Sequence, residues 1–165
     1  MIWVAIVFIV VILIIVLVKS SQRPEQPSES LSYEKLNTLF SAAECAFLDA
    51  LYQAVEDNAL VFGKVRVADV IIPIRGMTHK QWQDALKKIR CKHFDFLLCD
   101  KNDLSILCAI ELNDISHNTR LRKERDEFLI AACDSAHLPL IQLQAQSSYN
   151  VDEIRHMLID HLSAN

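Results

Sequence analysis

The chain has 165 residues, room for one ordinary domain, and a net charge of −4 that does not advertise nucleic-acid binding. Two glycines in the whole chain exclude a Gly-rich phosphate loop, and five cysteines without a CxxC pair give no zinc motif. The 52% apolar content is inflated by the N-terminus, where Ile2 to Val18 is an unbroken apolar run.

Those 17 residues reach roughly 25 Å as a helix, the short end of a bilayer core. Lys19 can snorkel to extend them. In lipid the backbone must satisfy its own hydrogen bonds, so a single segment spans as a helix. A cleaved secretory signal is the rival reading, but it needs a basic start and a small-x-small exit, and the exit here is VKSSQRP. Residues 1–19 therefore read as one transmembrane anchor. Lys19 and Arg23 behind it place the rest on the cytoplasmic side of the inner membrane, as a single-pass protein. Cys45, Cys91, Cys99, Cys108 and Cys133, odd in number and set in apolar segments, read as reduced core thiols, which agrees with that side. Residues 20–32, polar and holding Pro24 and Pro27, read as a flexible linker to a domain over 33–165.

Within that domain Ser41-Ala42-Ala43-Glu44 is a capping-box pattern, opening a helix whose stripe is Phe47, Leu48, Leu51 and Val55. Leu60 to Ile74, rich in Val and Ile, should contain a strand ended by Pro73 and Gly76. Thr78 caps a second helix with Trp82, Ala85, Leu86 and Ile89 inward, Trp82 reading as core. His93 to Cys99 and Leu104 to Leu112 form a hairpin around Asp100 to Asp103. Thr119 to Ala136 is helical, Leu138 to Leu143 a short buried strand, and Val151 to Leu162 a last amphipathic helix. The order α-β-α-β-β-α-β-α implies an α/β domain with a mixed sheet.

Chemistry concentrates between Lys87 and Asp126. Alternation puts Phe94, Phe96 and Leu98 on one face of their strand and Asp95, Leu97 and Cys99 on the other. On the next strand Ile106, Cys108, Ile110 and Leu112 share a face, opposite Leu107, Ala109, Glu111 and Asn113. A carboxylate in such a strand needs a partner, because burying an unpaired charge costs several kcal/mol. If Asp95 and Glu111 meet across the hairpin, a proton, a base or a divalent cation must lie between them, and Mg²⁺ suits two carboxylates and water. Alternatively Asp95 pairs with Lys92 and Glu111 lies in solvent.

The pattern SAAECAFLDAL, VRVADV, KHFDFLLCD, AIELNDISH, a basic helix with RDEF, and LPLIQL resembles a bacterial domain family of unknown function. That family is assigned to the PD-(D/E)XK restriction-endonuclease-like nucleases, near the very-short-patch-repair endonucleases. The resemblance covers about Leu39 to Leu143 and implies a restriction-endonuclease-like αβββαβ core with one inserted helix. It makes Asp95 the metal-binding Asp and Glu111 the second acid of a Mg²⁺-dependent hydrolase of DNA or RNA phosphodiesters. Asn113 stands where the motif has its catalytic Lys, or where nearer relatives have the Asp of ELD, with Lys92 and Lys64 as substitute amines, and His117 is the His of the ELxxxSH pattern. Lys88, Arg90, Arg120 and Arg125 are the implied nucleic-acid contacts. Asn113 leaves a second reading, an inactive nuclease-like module binding nucleic acid or a protein partner at the membrane. Glu44 reads as a capping residue before an auxiliary metal ligand.

Overall fold

The computed structural model describes residue 3 and residues 10–15, 31–113 and 120–162, with the backbone alone for 120–125. The chain divides into two compact units, Met1–Asn37 and Thr38–Asn165. In the first, residues 10–15 are helical and exposed. Most of Ile2 to Val18 lies outside the described residues, and among those described no helix is long and apolar enough to cross a membrane. The anchor thus rests on the sequence alone.

The second unit is a mixed α/β domain. Its elements are α1 (Ala42–Val55), β1 (Leu60–Arg66), a one-turn α2 (Val67–Val70), α3 (His79–Ile89), β2 (His93–Cys99), β3 (Ile106–Asn113), α4 (Arg120–Ser135), β4 (Leu140–Gln144) and α5 (Val151–Leu162). The sheet has the order β1-β2-β3-β4. β1 to β2 and β2 to β3 are antiparallel, while β3 and β4 are parallel. A parallel pair needs a long crossover, and α4 supplies it.

Both predicted N-caps form. Ser41 and Glu44 exchange the two bonds of a capping box, and Thr78 and Gln81 do the same for α3. α1 buries Phe47, Ala50, Leu51, Ala54 and Val55 against one face of the sheet, where Phe96, Leu98, Cys108 and Ile110 meet Ile154 and Leu158 of α5. A smaller cluster on the other face joins Val67, Ile89, Phe94, Leu97 and Ala109 to Leu129 and Cys133 of α4.

Several local expectations are corrected. The Val/Ile-rich stretch stays a strand only to Arg66, because its partner β2 begins at His93, opposite Arg66. β-propensity reports fit against a neighbouring strand. Past that point the chain has none, turns through α2, and leaves Ile72 and Ile74 exposed. Trp82 is exposed, not core, since α3 packs through Ala85, Leu86 and Ile89 in its C-terminal half. The hairpin turn is longer than Asp100 to Asp103: Leu104 takes a left-handed φ of 63° and β3 starts at Ile106. Pairing slips next to Cys99, which faces Ile106, and Leu107 accordingly packs with the first cluster instead of with Ala109. Phe94 changes sides in the opposite sense and joins the second cluster, so alternation along β2 breaks at Asp95. Of the five cysteines, all free, Cys99, Cys108 and Cys133 are buried, but Cys45 and Cys91 are exposed.

A candidate acid-lined cleft

The site grows from the end of the sheet where β2 begins and β3 ends. The β2–β3 pairing ends at Phe96 and Ile110, the neighbours in sequence of Asp95 and Glu111. There the side chain of Asp95 replaces a backbone partner: its Oδ2 accepts from the Leu112 N–H at 2.9 Å. Its Oδ1 accepts from the Lys64 ammonium at 2.9 Å. Lys64 Nζ also donates to Glu44 Oε1 at 2.6 Å, while Glu44 Oε2 accepts from the Ser41 N–H at 2.8 Å. Glu44 therefore both caps α1 and faces the site, two roles that its two oxygens serve separately.

With side-chain exposures of 17% for Glu44, 16% for Asp95 and 30% for Lys64, these ion pairs are partly shielded from water, more so than ordinary surface bridges. Burial acts to lower the pKa of Lys64, but the Asp95 and Glu44 carboxylates outweigh it and hold it above the usual lysine value. Burial likewise acts to raise Glu44, and Lys64 with the Ser41 amide outweighs it in the other direction.

The backbone of Lys64 is unusual. Its φ of 55° lies in the left-handed region, in mid-strand, where a residue with a side chain is uncommon. Beside it Gly63 is required by close approach: a Cβ there would run into the Phe40 ring. That ring stacks on Phe96 at 5.5 Å between centroids, and the Lys64 ammonium lies 6.0 Å from its centre.

Glu44, Lys64, Asp95, Glu111, Asn113 and Asp126 all line one open cleft of about 770 Å³, with Lys92 and His93 at its wall. The Oε1 atom of Glu111 is buried. Glu111 also acts on α4: the Cys133 thiol is pushed up to about 11 by burial, with the charges of Glu111 and Asp134 adding to it. Cys108 is pushed up to about 12, chiefly by burial. Buried protonated thiols of this kind are inert structural groups.

Asp95, Glu111, Asn113 and Lys92, singled out from the sequence, thus come together. The Lys92 ammonium lies 5.6 Å from the Phe128 ring centre, and Lys64, not Lys92, is the amine on Asp95. Lys88 stands apart, lining a separate groove beside the Phe128 ring at 5.7 Å, and Arg90 is exposed at the end of α3. The backbone of Arg120 and Arg125 is helical in α4, their side chains lie outside the described residues, and so does His117. Asp126, within the RDEF of the basic helix, carries no sequence signal that marks it as a cleft residue. The Leu112 N–H carries no sequence signal at all.

Among the described residues no group of three or more His, Cys, Asp and Glu side chains is arranged to hold a metal ion. The donors on offer at the cleft are carboxylate oxygens, the ligand class of hard cations such as Mg²⁺, which bind through one or two carboxylates and keep several waters.

A mixed four-stranded sheet clasped by helices, with acids and a lysine gathered at one end of the central hairpin, defines a mixed α/β domain with a single-ended polar cleft. The chain belongs to the DUF2726 family, described as a protein of unknown function, whose match spans residues 36–162. No curated protein and no solved structure matches the chain.

Proposed function

We propose that this domain is a PD-(D/E)XK-like, Mg²⁺-dependent phosphodiesterase acting on DNA or RNA, held at the cytoplasmic face of the inner membrane by the apolar segment Ile2 to Val18. The observation that carries the reading is that Asp95 of β2 and Glu111 of β3 line one cleft, which also receives Glu44 and Lys64. The run α1-β1-β2-β3-α4-β4, with α2 and α3 inserted after β1, supports it by following the expected αβββαβ order.

Charge favours a cation in the cleft. Among the described residues, four carboxylates, of Glu44, Asp95, Glu111 and Asp126, face two lysines, Lys64 and Lys92. A phosphodiester entering on its own would meet net negative charge, whereas a divalent cation reverses that balance locally. Asp95 and Glu111 would hold the ion, which when bound supplies Lewis acidity and an activated water. The residues themselves do the rest. The Leu112 N–H fixes the orientation of Asp95. Lys64 stands in for the amine that Asn113 lacks, reaching the same carboxylate from β1.

The test is cleavage of single- and double-stranded DNA and of RNA by the detergent-solubilised full chain, in Mg²⁺, Mn²⁺ or EDTA. Cleavage requires the metal and is lost, by a factor of about a hundred or more, in Asp95→Ala and in Glu111→Ala. Wild-type rates in Asp95→Ala would sink the assignment.

A second reading has its own observation. The Lys64 ammonium already bridges Glu44 and Asp95 and offsets one of their two charges, and Asn113 brings no catalytic charge. In that reading the domain binds nucleic acid or a protein partner at the membrane without cutting. Salt-dependent nucleic-acid binding in EDTA, with no cleavage in any metal, supports it over the first.

A further inference from the structure

Lys64 is held in place by more than its ion pairs. Its left-handed backbone is unfavourable for a residue with a Cβ, and such a conformation persists only where the surroundings over-determine it. Those surroundings are Gly63, which makes space for Phe40, the Phe40 ring near the ammonium, and the two carboxylates beyond it. The result is a cation placed between acids from two different elements, α1 and β2.

A divalent ion drawn to Asp95 comes close to the Lys64 ammonium, which already holds Oδ1 at 2.9 Å while Oδ2 accepts from the Leu112 N–H. Two cations at hydrogen-bond distance repel strongly where solvent screening is weak. We propose that Lys64 is an internal counter-ion, holding the Glu44–Asp95 pair in the metal-free protein and leaving Asp95 when a divalent cation binds. This inference rests on the metal-dependent reading above. It makes Lys64 a positioning residue whose occupancy of the acids sets the metal affinity of the site, and whose release frees an ammonium inside the cleft for a phosphate oxygen.

The experiment needs no substrate. Mn²⁺ binding to the detergent-solubilised full chain is measured by calorimetry for the wild type, Lys64→Met, Lys64→Gln and Asp95→Ala, with circular dichroism as the check on folding. Met keeps the unbranched stem and removes the competing charge. Lys64→Met and Lys64→Gln bind Mn²⁺ about tenfold tighter than the wild type, as expected when one charge-assisted competitor is removed. A lysine with a merely structural role would leave affinity unchanged or weaken it, and that result in a folded variant overturns the inference. Wild-type binding that is lost in Asp95→Ala but unaltered in both Lys64 variants leaves the metal reading standing while this one fails. No binding in any folded variant removes both. If neither Lys64 variant folds, acetylation of the wild type followed by mass spectrometry decides. Mg²⁺ raises labelling of Lys64 relative to the other lysines if the amine is released, and unchanged labelling at saturating Mg²⁺ refutes release.

Discussion

The β2–β3 hairpin carries acids at both ends, and the two ends use them differently. At the turn, Asp100 accepts from the Asn102 N–H at 2.7 Å and Asp103 from the Ser105 N–H at 2.8 Å, each two residues away. At the opposite end Asp95 accepts from Leu112 and Lys64, 17 and 31 residues away, and Glu44 reaches Lys64 across 20 residues. The turn acids are satisfied by local chain geometry as soon as the turn forms. The cleft acids are satisfied only once three strands and α1 have assembled. Carboxylates of the first kind specify the fold. Those of the second kind hold charges together that lie far apart along the chain.

The most direct way to break this contrast is to remove one acid from each end. Asp95→Ala leaves the Leu112 N–H without its acceptor and Lys64 with one carboxylate, and should destabilise the domain by about 2–3 kcal/mol in urea unfolding. A loss no greater than that of a turn substitution would erase the distinction between the two ends. Gly63→Ala comes next. The new methyl group displaces the Phe40 ring from Phe96 and loosens the seat of Lys64, with an expected loss of about 1–2 kcal/mol and altered Phe40 ring resonances by NMR. Unchanged stability there would mean that Phe40 is not packed as described. At the turn, Asp103→Ala removes one exposed local bond and should cost about 0.5–1 kcal/mol in urea unfolding, without any change in the Phe40 ring resonances beside the cleft.

The smallest effect sharpens the comparison through pH, because the cleft groups are partly solvated. Glu44 is held below its ordinary 4.5, so its contribution is present above that pH and is lost as pH falls beneath it. Lys64 is held above its ordinary 10.5, so its contribution is present below that pH and is lost as pH rises past it. Thermal denaturation of the wild type against Lys64→Met should therefore show the variant losing less stability at both extremes. Parallel curves for the two proteins would show that the bridge contributes nothing measurable to folding.

Much of the scaffold was legible from short-range pattern. Ser41 with Glu44 marked the start of α1, and Thr78 marked that of α3, because a capping box closes within four residues. His93 to Cys99 and Val151 to Leu162 carried their bounds in their own periodicity. The extra length of the Leu60 to Ile74 expectation, the burial of Trp82 and the placing of Phe94 on the face of Phe96 failed for a common reason. Each depends on what lies beside the segment in space: the strand that ends, the sheet that α3 meets with one half only, and the left-handed residue opposite. In the cleft, Asp95 and Glu111 stood out as charges in apolar strands. Lys64 was no more than one of two candidate amines until its distance to Asp95 separated it from Lys92.

Residue order alone thus settled the helix caps, the hairpin, the mixed α/β class and the pair of strand carboxylates, since each is written within a few neighbouring positions. Which cation meets those carboxylates was left to the assembled sheet. Lys64 and the Leu112 N–H converge on Asp95 from two separate strands while Glu44 of α1 holds the same ammonium, and no pattern along the chain encodes contacts that pairing register and helix docking create.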